Sequence, residues 1–219
     1  QVALDGSPTV SRFLVQFNQS QIQDVLQNKV SGSFATYLKT YIAKVSGLSE
    51  EVILYNYVVS GSWQNGTGKY LDSPETQNGV SWSSRISSGS GTWATTFGST
   101  GATASYAVGY TGGGNWYTSS TYVQSASLQY RSDFDLSFNV TNTILAWYSS
   151  SIVNNGFIIK QGNSNEFDDT KTAELKYFSV DTNTIYPPQL EFRWSDFIFN
   201  TGSSTQTLFF STEGGMGQH

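Results

Sequence analysis

Residues 135–160, DLSFNVTNTILAWYSSSIVNNGFIIK, decide how this chain is read, together with residues 177–194, YFSVDTNTIYPPQLEFRW. The first stretch opens on LSFNV, which alternates apolar and polar residues with the period of a strand. Thr141 or Asn142 can then cap a helix over 143–148, with Ile144, Leu145 and Trp147 facing inward. Asn154-Asn155-Gly156 is a turn signal, and Phe157 to Lys160 read as the next strand. The second stretch holds a Pro187-Pro188 step followed by the alternating strand LEFRW. This order of strand, short helix, turn and strand describes an architecture, and it contains no reactive site.

The same pattern extends outward. RFLVQFN (12–18) is an apolar strand. Residues 19–28 place Ile22, Val25 and Leu26 at helical spacing, with Ser20 as the expected cap. Residues 34–46 alternate as one strand, and 52–59 (VILYNYVV) form another, rich in β-branched and aromatic residues. Residues 60–120 are irregular, carry four of the six tryptophans (Trp63, Trp82, Trp93, Trp116), and are punctuated by Asn65-Gly66, Asn78-Gly79 and Gly112-Gly113-Gly114. Short strands near 80–86, 92–97 and 105–110 are expected there, since a structureless loop of that length is rare in a compact domain. The triple glycine reads as a flexible turn. Strands are expected again at 121–130, 132–140, 174–180 and 196–200. Many short strands, with helix in small pieces only, predict an all-β fold: an antiparallel jelly-roll β-sandwich with two short helices. The chain reads as a single domain over 1–219, with its core at about 10–200 and a loose C-terminal tail at 201–219. Phe13, Val15, Phe17, Leu128, Tyr130, Trp147, Phe157, Ile159, Phe178 and Leu190 are the expected core.

Composition bounds the function. Of 219 residues only 12% are charged, about half the usual share; a neutral polar surface suits subunits that pack side by side. The net charge of −5 comes with only 11 scattered Lys and Arg, so no basic stripe is available for phosphates and nucleic acid is not an expected partner. No apolar run reaches the length of a membrane span, and membrane is not an expected partner either. Cys is absent, which removes disulfides and cysteine zinc sites.

The landmarks resemble the DNRLRE-type family of β-sandwich domains, which is similar to carbohydrate-binding jelly rolls. The family pattern "kR.LlkFDLS.I" is matched by Ser11-Arg12-Phe13-Leu14-Val15-Gln16-Phe17-Asn18-Gln19-Ser20-Gln21-Ile22. "DVT.lV.aW…NnGf.lk" is matched by Asn139-Val140-Thr141-Asn142-Thr143-Ile144-Leu145-Ala146-Trp147 and by Asn154-Asn155-Gly156-Phe157-Ile158-Ile159-Lys160. The closing "RP.L.v.y" is matched by Pro188-Gln189-Leu190-Glu191-Phe192-Arg193-Trp194, with Pro187 where the family has Arg. Asn18 and Asn139 stand where the family has Asp, so two of its carboxylates are missing. A closer resemblance is to virion structural proteins of tailed marine phages of the cyanophage type. It runs over Ser62-Trp63-Gln64-Asn65-Gly66-Thr67-Gly68-Lys69-Tyr70, Ser73-Pro74-Glu75-Thr76 and Gly79-Val80-Ser81-Trp82, and over the unbroken block 175–194. The resemblance implies a non-enzymatic structural role in the virion: docking on other virion proteins of the tail, neck, baseplate or head surface, as a homo-oligomer or symmetric array.

Few residues offer chemistry. The single His is the terminal His219, so a His-dependent triad or metal cluster is not expected, and no catalytic residue is assigned. Asp72 with Glu75, Glu50 with Glu51, and Asp168 with Asp169 are the carboxylate pairs a glycosidase would need, but each sits in polar, turn-like sequence. Asp168 and Asp169 are also the candidate calcium ligands, against the plainer reading of a solvated acidic loop. No other cofactor is expected. Trp93, Tyr110, Trp116 and Tyr117 lie among glycine-rich turns, where exposed rings would contact a glycan or a neighbouring subunit; the plainer reading is that they cover the core. The alternative function is therefore a carbohydrate-binding or adhesion module, such as a receptor-binding or decoration protein, with an extracellular or cell-surface location in place of the virion. Asn18, Asn65 and Asn139 each open an Asn-x-Ser/Thr triplet, a pattern frequent by chance in so polar a chain.

Overall fold

The computed structural model describes residues 2–5, 10–48, 51–68, 73, 76, 78–87, 91–93, 112–131, 133–162, 166, 173–180, 184–201 and 204–210, with backbone pairing alone for 2–5 and 196–210. The strands are β1 (Val2–Asp5), β2 (Ser11–Val15), β3 (Phe34–Thr40), β4 (Ile42–Ser46), β5 (Val52–Val58), β6 (Gln124–Leu128), β7 (Leu136–Asn139), β8 (Phe157–Gln161), β9 (Glu174–Tyr177), β10 (Gln189–Thr201) and β11 (Ser204–Phe210). Helix α1 (Gln19–Asn28) follows β2 and α2 (Thr141–Tyr148) follows β7. Among the described residues every strand pair is antiparallel. One sheet runs β1-β2-β8-β5-β6, a second β11-β10-β3-β7, and β4 with β9 forms a small third sheet. The fold is an all-β antiparallel sandwich.

Alternation builds the core between the two large sheets. From the first sheet Val15, Leu54, Val58, Phe157 and Ile159 point inward; from the second Leu38, Leu136 and Phe138 meet them. The helices add Ile22, Ile144 and Trp147, whose ring lies 4.8 Å from that of Phe157. Burial of each such side chain contributes on the order of 1.5–3 kcal/mol. Phe13, Phe17 and Leu190 pack half-buried against this core.

Both helices start on the same local device. The Asn18 side-chain oxygen accepts from the N–H (2.8 Å) and hydroxyl (2.7 Å) of Ser20, and the Asn139 oxygen accepts from the N–H (3.1 Å) and hydroxyl (2.7 Å) of Thr141. Asn18, rather than Ser20, is therefore the cap of α1, and α2 begins two residues earlier than expected. Asn replaces Asp here without loss, because the accepting oxygen is common to both side chains. Two of the three Asn-x-Ser/Thr triplets are thus helix starts.

Several expectations are corrected. Residues 34–46 are two strands: the ladder stops at Tyr41, where the Asp135 carboxylate accepts the Ile42 N–H (2.8 Å) and turns the chain into the small sheet. Leu145 is largely exposed, and Ala146 takes its place inside, because Thr143, Ile144 and Trp147 set the buried stripe. Tyr130 is 81% exposed: it lies beyond the end of β6, where strand alternation no longer applies. Phe178 leaves the main core and stacks on Tyr186. Residues 190–194 and 196–200 belong to one strand, β10, which pairs with β3 through Trp194 and beyond that with β11 alone. The tail expected to be loose beyond residue 200 therefore contains a paired strand. Among the described residues the region 60–120 holds isolated bridges (Val59 with Trp116, Ser84 with Thr92), with no strand where one was expected near 80–86; most of the strand expected near 92–97 and all of that near 105–110 lie outside the described residues.

Candidate functional site

The middle of the first sheet, β2 and β8, is largely buried on both faces. The sheet's outer face carries Arg12 and Leu14 of β2, Tyr57 of β5, and Ile158 and Lys160 of β8, each one residue out of phase with the core positions. The segment after β5 lies across this face and closes a second apolar cluster of Leu14, Val59, Val80, Trp93, Trp116 and Ile158, with Tyr57, Trp63 and Trp82 packed on it.

Within that layer sit three buried charges. Arg12 donates from Nε to Glu166 Oε1 (2.6 Å) and from Nη2 to Glu166 Oε2 (2.9 Å). Lys160 Nζ approaches Glu166 Oε2 at 2.8 Å and donates to the Gln161 carbonyl at 2.9 Å. The guanidinium lies over Trp82 (4.8 Å) and Trp116 (5.2 Å), and the ammonium lies 5.6 Å from Trp116 and 5.9 Å from Tyr57. Burial pushes the Lys160 amine down to about 8; Glu166 opposes that shift and Arg12 adds to it. An amine lowered this way is one mark of a nucleophile, but this one is enclosed and donates to a carboxylate and a carbonyl. The arrangement acts as a clamp that ties β2, β8 and residue 166 together.

The third Arg12 hydrogen bond explains the triple glycine. Nη1 donates to the Gly113 carbonyl (2.8 Å), while the Gly113 N–H donates to the Trp82 carbonyl (2.5 Å). Gly112, Gly113 and Gly114 all have positive φ and are buried; a Cβ on Gly112 would sit 2.3 Å from the Trp82 carbonyl oxygen. The expected flexible turn is a packed crossing that only glycine permits.

The residues expected to contact a glycan or subunit divide accordingly. Trp93 is 1% exposed and donates its indole N–H to the Ser81 carbonyl (2.9 Å); Trp116 is 3% exposed. Neither forms an exposed platform, so the proposed contact face over them is corrected: apolar rings with an anchored polar tip are the natural fill for a wide second layer. Tyr117 is half-buried against the main core, edge-on to Tyr122. Tyr110, Asp168 and Asp169 lie outside the described residues, as do Glu50, Asp72 and Glu75. Glu51 is exposed and accepts from the Ser127 hydroxyl and Gln129, which together hold its carboxyl below the ordinary range. Among the described residues no group of three or more His, Cys, Asp or Glu could hold a metal, and no helix is long and apolar enough to cross a membrane.

Two surface features remain. A cleft of about 480 Å³ is lined by Gln16, Phe17, Asn18, Gln19, Trp63, Asn65 and Asn154. Separately, Ile185 is 79% exposed and is followed in the chain by Tyr186, whose ring lies 5.4 Å from Tyr41 and 5.9 Å from Phe178. Sequence reasoning missed the clamp and the cleft. The signal for the clamp was Arg12 and Lys160 on apolar strands, in phase with Leu14 and Ile158. No family model, curated protein or solved structure matches the chain.

Proposed function

We propose that the chain is a non-enzymatic structural protein of a phage particle, a sandwich of jelly-roll type that docks on neighbouring subunits. The observation that carries this reading is the exposed pair Ile185 and Tyr186, with the Tyr186 ring against those of Tyr41 and Phe178. It falls inside residues 175–194, the block that bears the resemblance to virion proteins. Exposed aromatic and aliphatic side chains grouped in this way are what a subunit contact covers. The clamp of Arg12, Glu166 and Lys160 supports the same reading, because its side chains are enclosed and spent on rigidity.

The contact would be largely non-ionic, so moderate salt should leave it intact. Cryo-electron microscopy of the native particle tests the proposal. The expected result is the chain in a symmetric ring or array with Ile185 and Tyr186 covered by a neighbour. Finding no copy in the particle, or finding this patch facing solvent at a distal tip, would overturn it.

A further inference from the structure

We infer that the cleft between the end of β2 and the segment after β5 is a binding site for a neutral saccharide. Its volume of about 480 Å³ lies within the roughly 300–1,000 Å³ of small-ligand clefts. Its lining combines one indole ring with five amide side chains, Gln16, Asn18, Gln19, Asn65 and Asn154, and no charged group.

The floor is preorganised. Trp63 donates its indole N–H to the Asn155 carbonyl (2.8 Å), which fixes the plane of the ring. Asn154 donates to the Phe17 carbonyl and to Gln19 Oε1 (3.1 Å each) and accepts from the Gly156 N–H (3.1 Å). Gln19 donates to the Trp147 carbonyl (3.1 Å). The ligand therefore meets groups whose ordering cost is already met by the fold.

The rim keeps hydrogen-bonding capacity in reserve. Gln16 donates to the Asn154 carbonyl (3.0 Å), which leaves its side-chain oxygen to accept. Asn18 uses its oxygen on Ser20, which leaves its NH₂ to donate. The exposed Asn65 side chain has no partner among the described residues. Amides both donate and accept, which matches hydroxyls that do the same. The C–H face of a pyranose is apolar and carries partial positive charge, complementary to the negative face of an indole. An anionic ligand would find no counter-charge in this lining, and a purely apolar one would strand the amides.

The test uses the full chain. Saturation-transfer NMR and calorimetry are run with neutral oligosaccharides (glucan, mannan, galactan and N-acetylglucosamine series) and with acidic ones (alginate and sulfated galactan). A neutral series should bind with a Kd on the order of 1 mM. Asn65→Ala and Gln16→Ala, exposed positions whose melting temperatures should match wild type, should each weaken it about fivefold or more. Trp63→Ala should abolish transfer to the sugar ring protons. Absence of neutral binding at about ten times that concentration, binding of acidic saccharides alone, or affinity indifferent to Asn65→Ala and Gln16→Ala would each overturn the assignment.

Discussion

Glu166→Gln removes one negative charge and almost no volume, and it isolates the energetics of the buried clamp. In the native structure the carboxylate takes two hydrogen bonds from Arg12 and sits 2.8 Å from the Lys160 ammonium. The neutral amide leaves both cations in a desolvated layer without the anion that bridges them. Breaking a buried pair from one side costs about 3–5 kcal/mol, because the remaining charge stays buried. For a domain of about this size each kcal/mol moves Tm by about 2–4 °C, so a fall of roughly 6–20 °C is expected. Denaturant unfolding followed by tryptophan fluorescence measures it, since Trp82 and Trp116 flank the Arg12 guanidinium. Hydrogen exchange at the Gly113 N–H should accelerate as well, because the Gly113 carbonyl rests on Arg12. The combined Arg12→Met, Glu166→Leu, Lys160→Met variant should return close to wild-type stability, since a buried ionic group replaced by apolar side chains is often neutral or stabilising. A Glu166→Gln loss under about 1 kcal/mol, or a triple variant no more stable than the single one, would refute the reasoning.

The lowered Lys160 amine has a pH signature. Its folded value of about 8 lies below the unfolded 10.5, so between those values the unfolded chain binds more protons and stability rises with pH. Wild-type stability relative to Lys160→Met should therefore climb by about 3 kcal/mol from pH 8 to 10.5, and a flat difference in chemical denaturation would contradict the enclosed ammonium. Trp147→Ala should cost about 3–5 kcal/mol, because the ring fills the core beside Phe157; a melting shift of under a few degrees would contradict that. Gly156 has φ +78° and an added Cβ would lie 2.2 Å from the Val15 carbonyl oxygen, so Gly156→Ala should destabilise by at least about 2 kcal/mol in urea unfolding. Asn56 is fully buried, and neither of its amide atoms has a partner among the described residues. Asn56→Leu should raise Tm by the equivalent of about 1–3 kcal/mol, and a fall would point to an internal water held by that amide.

Local order was legible wherever one residue and its near neighbours settle the outcome. The ten residues of α1 follow from helical spacing, β2, β5 and β8 from short runs of apolar, β-branched and aromatic residues, and β7 from alternation. The device that starts each helix, an Asn two residues before a Ser or Thr, is equally local, although sequence reasoning placed the cap of α1 at Ser20 and began α2 two residues late. These signals place an all-β sandwich with two short helices, because periodicity and short-range hydrogen bonding are properties of a segment by itself.

What depends on distant partners was not legible. FIIK looks the same whether one face or both are covered; only the segment crossing over Ile158 and Lys160 makes this a strand buried on two sides. Trp93 and Trp116 sit among turn residues that suggest exposure, yet the second layer encloses them. Arg12 and Glu166 are 154 positions apart, and nothing in either neighbourhood announces the other. The same holds for the cleft, whose amides come from residues 16–19, 65 and 154. The amino-acid sequence by itself determined the all-β character, the two short helices and the low-charge, cysteine-free composition. The tertiary structure alone decided which charges were buried together, which aromatics were hidden and which amides met around Trp63, because those outcomes depend on contacts between segments far apart in the chain.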